Sequence, residues 1–182
     1  MLGHSVSMFQ PSSTLSRSKY STTLESNAIA RLEEENFQLS PTQIINIPDG
    51  NSLTRAISDQ LSYNPEINPI TQKDLRIKVV RTLHQKIEKG EIKWEIEGKD
   101  LGTPEDWMEK MLVDGVHLDE MFLRLTSLFF SRKIKVLHVI DPQPRIYEPR
   151  YQTIYEPLYL LNYEENICQQ PHYQSIRPLT SK

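Results

Sequence analysis

Apolar residues recur at helical spacing from Leu53 to Phe129, and from Ile134 onward the chain changes to short runs rich in β-branched and aromatic residues. Helices first and strands later is the order of an α+β domain, in which helices pack against a small sheet. With 182 residues the chain is long enough to bury a real core and short for two domains, so one domain with a tail is expected. The division falls near residue 40: a Ser/Thr-rich disordered tail and a short helix over 1–40, and the folded domain over 41–180.

The first 23 residues carry Arg17 and Lys19 but no acid and show no apolar periodicity. Ser26 can cap a short helix with Ile29, Leu32 and Leu39 on its apolar side and Pro41 at its end. Ile44 to Ile47 reads as an extended entry stopped by Pro48. After the turn-forming Asp49, Gly50 and Asn51, residues Leu53, Ile57 and Leu61 stand four apart and put Ser52 at the start of a buried helix. A longer helix runs from Gln72 to Lys89, with Thr71 and Asp74 spaced as a capping box, Leu75, Val79, Leu83 and Ile87 inward, and Gly90 closing it. Thr103, Pro104, Glu105 and Asp106 open another, which leads through Trp107 and Met111 to a break at Asp114 and Gly115. Leu118, Met121, Phe122, Leu125, Leu128 and Phe129 mark one more amphipathic helix, expected to pack on the last. Strands follow at Ile134 to Ile140 and Leu158 to Tyr163, and a last short one begins at His172 and passes Tyr173 and Ile176 before Pro178 stops it. The proline-studded segment from Asp141 to Pro157 forms a connecting loop, since several prolines there forbid a central strand.

Composition removes several classes of function. A net charge of −3 argues against a broad nucleic-acid footprint, which needs a surplus of clustered Lys and Arg. The single cysteine, Cys168, excludes an intramolecular disulfide and a thiolate-rich zinc site, and fits a reducing, intracellular setting, with the cytoplasm as the expected location. No run of about 18 apolar residues occurs and the start lacks the pattern of a secretory signal, so a soluble protein with no membrane partner is expected.

Chemistry is suggested by two distant segments. Ser52 follows a flexible turn and opens a helix, the arrangement a nucleophile uses when it needs open access and backbone amides around it. His172 stands far downstream at a strand edge. A cysteine at such a helix start has its thiolate stabilised by the helix dipole and a neighbouring imidazolium. Serine gains much less, because its hydroxyl is far less acidic than a thiol of free pKa about 8.5 and must lose its proton to a base during attack.

Asp49, Gly50, Asn51, Ser52, Leu53, Arg55, Ala56 and Ser58 resemble the opening motif Asp-Gly-Asn-Cys-Leu-Phe-Arg-Ala-x-Ser of the ovarian-tumour (OTU) cysteine peptidases, with serine where that family has its nucleophilic cysteine. Asp114 to Asp119, the helix that follows and the strand Ile134 to Val139 resemble the family's central segment, where tryptophan is common near the position of His117. Pro157, Leu158, Leu160 and Tyr163, then His172, Tyr173, Ser175 and Ile176, resemble its closing strands and His-Tyr-x-Ser ending. The three motifs occur in the family's order and span about three quarters of the chain. The resemblance implies a papain-like OTU fold with a small central sheet between helices. It also implies a deubiquitinase acting on the ubiquitin C-terminal tail, with ubiquitin or a ubiquitin-like protein as partner, a monomeric state, and no metal or organic cofactor. By it, Ser52 holds the nucleophile position and His172 is general base and acid. Backbone amides from Asp49 to Ser52, those of Gly50 and Asn51 above all, form the oxyanion hole, and Asp49 shapes that loop. Where many relatives have Asn or Asp two residues after the histidine, this chain has Gln174, an orienter without the charge that stabilises imidazolium.

Blander readings stand beside these. Asp-Gly-Asn-Ser is also the commonest kind of turn and helix cap, and a lone histidine is more often structural than catalytic. Cys168, in a strand-connecting loop, has no helix start behind it to make it a displaced nucleophile. Trp94 and Trp107 are expected to be buried in the helical arm, and Glu33 to Glu35 to form a solvated face. Three functions remain open: a deubiquitinase domain impaired by serine, a non-catalytic module that holds ubiquitin or another partner in the old substrate groove, and a working serine hydrolase.

Overall fold

Leu53, Ala56, Ile57 and Leu61 fall on one side of α2 (Ser52–Ser62), each no more than 2% exposed, and burial of each large side chain contributes about 2 kcal/mol. A computed structural model of the chain describes residues 26–41, 49–163 and 172–179. The Ser/Thr-rich tail, the Ile44 to Ile47 entry and Cys168 lie outside them. Helix α2 packs against α3 (Gln72–Arg81) and against two strands, β4 (Leu158–Tyr163) and β5 (His172–Pro178). The Thr71 hydroxyl accepts from the Asp74 amide, as the capping pattern requires. The long helix expected to Lys89 is interrupted, however, and α4 (Leu83–Glu88) is a separate piece. At the break the Thr82 hydroxyl donates back to the Val79 carbonyl at 2.7 Å, a bond known to bend helices.

The helical arm continues through the single turn α5 (Trp94–Glu97) to α6 (Pro104–Leu112), which opens on a complete capping box between Thr103 and Asp106. Both tryptophans are buried, with ring centroids 6.2 Å apart. Trp107 Nε1 donates to Asp119 Oδ2 at 2.7 Å, while Asp119 Oδ1 accepts from the Phe122 amide and so caps α7 (Glu120–Phe130). One carboxylate therefore starts α7 and fastens it to α6.

Five strands form one sheet in the order β1-β5-β4-β2-β3, with β1 at Phe37–Leu39, β2 at Ile134–His138 and β3 at Arg145–Tyr147. Strands β2 and β4 are parallel, which requires the long crossover between them, and the remaining pairs are antiparallel. Alternation along the strands divides the core into two faces. Val136, Leu160 and Tyr173 join the helices α2, α3, α6 and α7, while Leu137, Leu161 and Ile176 pack with Ala28, Leu32 and Phe37. The fold is α+β, with a small central sheet covered by helices on both faces.

The second face comes from the segment that the sequence reading set before the domain. Residues 26–34 form α1, and Asn36, at φ 58°, turns the chain into β1 (Phe37–Leu39), which pairs with β5. Asn tolerates this left-handed conformation better than most residues, and the helix therefore ends before Leu39 rather than at Pro41. Ala28 and Leu32 carry the burial, whereas Ile29 is 52% exposed. Strand β3 lies in the segment read as an unbroken loop and takes the edge beside β2, where prolines on either side of a three-residue strand are tolerated. Among the described residues no helix is long and apolar enough to cross a membrane.

Candidate active site

The turn before α2 is held by Asp49. Its Oδ1 accepts from the Asn51 amide at 3.0 Å and its Oδ2 from Arg55 Nη1 at 2.6 Å, so one side chain closes the turn and ties it to the first turn of the helix. The Arg55 hydrogen bond holds the Asp49 carboxyl below the usual range, against the opposing effect of burial. Gly50 follows at φ +73° with its α-carbon against the Gly115 backbone, and a β-carbon there would overlap the Gly115 carbonyl. Gly115 is itself at φ +79°. Two glycine turns thus cross, and the Asp114 to Leu118 segment is brought beside the start of α2.

Asn51 occupies the N-cap position of α2 but makes no side-chain cap. Its Oδ1 instead accepts from Arg76 Nη2 at 2.7 Å and from the Gly115 amide at 3.4 Å. Arg76 is 2% exposed, and the sequence reading missed it. Its position gave a signal: it lies between the inward Leu75 and Val79 and four residues before the buried Val80.

Ser52 is buried, 4% exposed. Its Oγ accepts a hydrogen bond from the Tyr173 amide at 3.2 Å, joining residues 121 positions apart. The two ends of the chain singled out from sequence are therefore in contact, through the backbone next to His172. No hydrogen bond joins the Ser52 hydroxyl to the His172 ring. His172 Nε2 is buried without a hydrogen-bond partner among the described residues, and the ring lies 6.0 Å from that of Tyr163. Burial pushes the His172 pKa down, the Arg55 and His117 charges push the same way, and Asp49 opposes them. The imidazole is thus biased to its neutral, proton-accepting form, and His117, a residue given no role from sequence, acts on it. Gln174 is 2% exposed and its Oε1 accepts from the Tyr163 hydroxyl at 2.7 Å, without a hydrogen bond to the His172 ring.

Of the amides from Gly50 to Ser52, Asn51's is already given to Asp49 Oδ1. Those of Gly50 and Ser52 have no partner among the described residues. The arrangement can supply a recessed nucleophile position at an uncapped helix start, a neutral imidazole on the adjoining strand end, and backbone N–H groups beside the nucleophile.

The model of a family described as OTU-like cysteine protease matches residues 47–173. Among solved structures, the chain resembles the OTU domain of OTUD1 at 15% identity and a TM-score of 0.57, over 86% of this chain and 99% of that one. It resembles the viral OTU domain protease from Taggert virus at 15% identity and a TM-score of 0.58, over 82% and 84%. An OTU deubiquitinase from Wolbachia pipientis wMel, solved bound to ubiquitin, aligns at 10% identity and a TM-score of 0.54, over 80% and 98%. No curated protein sequence matches the chain.

Proposed function

The chain belongs to the family of OTU-like cysteine proteases, and from that premise we propose that it is a deubiquitinase-like domain that receives the C-terminal tail of ubiquitin, with Ser52 at the nucleophile position. The observation that carries the reading is the hydrogen bond from the Tyr173 amide to Ser52 Oγ. It joins the start of α2 to the strand end bearing His172, the two parts a peptidase of this kind needs together. In this reading His172 takes and returns the proton, Asp49 shapes the loop, and the amides of Gly50 and Ser52 receive the developing oxyanion. Asn51's amide is held by Asp49 Oδ1 instead. Gln174 fixes the strand through Tyr163 and lends the imidazole no charge.

In this reading the domain is impaired as it stands: a serine, unlike a thiolate, must give up its proton on attack, and Ser52 Oγ, which accepts from the Tyr173 amide, is not hydrogen-bonded to the base His172. The test is Ser52→Cys in the full chain, offered ubiquitin with a C-terminal electrophile. A covalent adduct at position 52 supports the reading, and its absence in a folded protein overturns it. The same contacts favour, as a second reading, a module that binds ubiquitin without turnover. Ubiquitin binding by the unaltered chain, with no adduct or cleavage in either form, would select it. A working serine hydrolase requires ester cleavage that Ser52→Ala abolishes.

A further inference from the structure

Among the described residues, Arg76 is the most deeply buried arginine or lysine, and the proposed chemistry does not use it. Its guanidinium reaches three separate segments. Nη1 donates to the Met111 carbonyl at 2.9 Å, at the end of α6. Nη2 donates to the Val116 carbonyl at 2.8 Å and to Asn51 Oδ1 at 2.7 Å, with the Gly50 carbonyl at 3.4 Å. Removing a guanidinium from water is unfavourable, and here burial does push its pKa down while Asp114 and Asp49 oppose the shift. A planar fork with several donors can satisfy acceptors lying in different directions, which a lysine ammonium at the same position cannot do.

The acceptors are specific to the loop before Ser52. A scaffold residue tying α3 to α6 needs only Met111. The bonds to Gly50, Asn51 and Val116 grip both sides of the glycine crossing, and they occupy the one side chain, Asn51, whose type and position would otherwise cap α2. With Asn51 Oδ1 drawn away to Arg76 and Gly115, α2 begins without a side-chain cap, and the field of its first turn falls on position 52.

From this geometry we infer that Arg76 is a positioning residue for the nucleophile: it holds the Gly50 and Asn51 turn against the Gly115 and Val116 segment and keeps the start of α2 uncapped beneath the reacting atom. The inference rests on the reading of position 52 as the nucleophile, and its test separates the two. The full chain carrying Ser52→Cys and Cys168→Ser has a single thiol, whose titration is followed by the pH dependence of its alkylation with a small haloacetamide. Into it are introduced Arg76→Lys, which keeps the charge but loses the fork, and Asn51→Ala, which removes the link and leaves Arg76 in place.

Each variant is expected to raise the thiol's titration midpoint by about one unit, which lowers the thiolate fraction about tenfold at pH values below both midpoints, while thermal unfolding of Asn51→Ala shows a folded protein. An unchanged alkylation profile in the folded variants overturns the inference, since a merely structural role would move stability and leave the thiol alone. Should Arg76→Lys not fold, Asn51→Ala decides by itself. If the parent thiol fails to react with the ubiquitin electrophile but its titration still follows Arg76 and Asn51, the deubiquitinase reading falls and the role of Arg76 stands.

Discussion

Gly50 and Gly115 meet backbone to backbone, with no room for a side chain at position 50. Both residues are in the left-handed region, where a β-carbon is strained whatever the space. At Gly50 the two penalties coincide. Gly90, also left-handed at φ +63° but with nothing within 4 Å of an added β-carbon, carries only the first.

Gly50→Ala is therefore expected to destabilise the fold by about 3 kcal/mol or more, because the crossing must open. Gly90→Ala is expected to lose only about 1–2 kcal/mol. Urea unfolding of the two variants measures the difference directly. Equal losses would mean that the crossing is not close-packed.

His172 makes stability depend on pH. Burial, Arg55 and His117 lower its folded pKa below the ordinary 6.5, with Asp49 opposing. Where the folded value is depressed, the unfolded chain binds the proton first. The contribution is thus fully present above about pH 6.5 and is lost as pH falls toward and through the folded value. Denaturation midpoints measured from pH 7.5 to 5 should decline, and His172→Gln should flatten that decline. A variant with the same slope as the parent would assign the loss to other groups.

Much of the fold was legible because the deciding signals are local. The four-residue spacing of Leu53, Ile57 and Leu61 fixed the inward face of α2, the Thr103 and Asp106 pair fixed the start of α6, and the run Leu158–Tyr163 was the strand itself. What escaped depends on tertiary partners. Strands β1 and β3 have three residues each and hold their shape only by pairing with β5 and β2, so neither carries a pattern of its own. Within the site, Ser52 and His172 could be picked out as a turn before a helix and a histidine at a strand edge. Arg76 was missed because a charged residue in a helix reads as solvent-facing, and its one signal, a place on the inward side beside Leu75 and Val79, gains its meaning only when the carbonyls of Met111 and Val116 are seen to converge on it.

Asp49 offers a test that connects the loop to the imidazole. Asp49→Asn keeps an oxygen to accept from the Asn51 amide while removing the charge that binds Arg55. The Asp49 side chain is 37% exposed, and an ion pair so open to solvent contributes less than about 1 kcal/mol at neutral pH. The unfolding midpoint at pH 7 should therefore change little. Its acid limb should change more: the Arg55 hydrogen bond lowers the folded pKa of Asp49 below the ordinary 3.8, so its contribution is present above that value and is lost as pH falls through the folded one, and the amide variant has no such loss. Because the Asp49 charge favours imidazolium at His172 while Arg55 disfavours it, the substitution should also move the His172 titration further down. Histidine ring resonances followed by NMR from pH 4 to 8 report that movement, and an unmoved His172 curve would show that the carboxylate and the imidazole do not sense each other across the site.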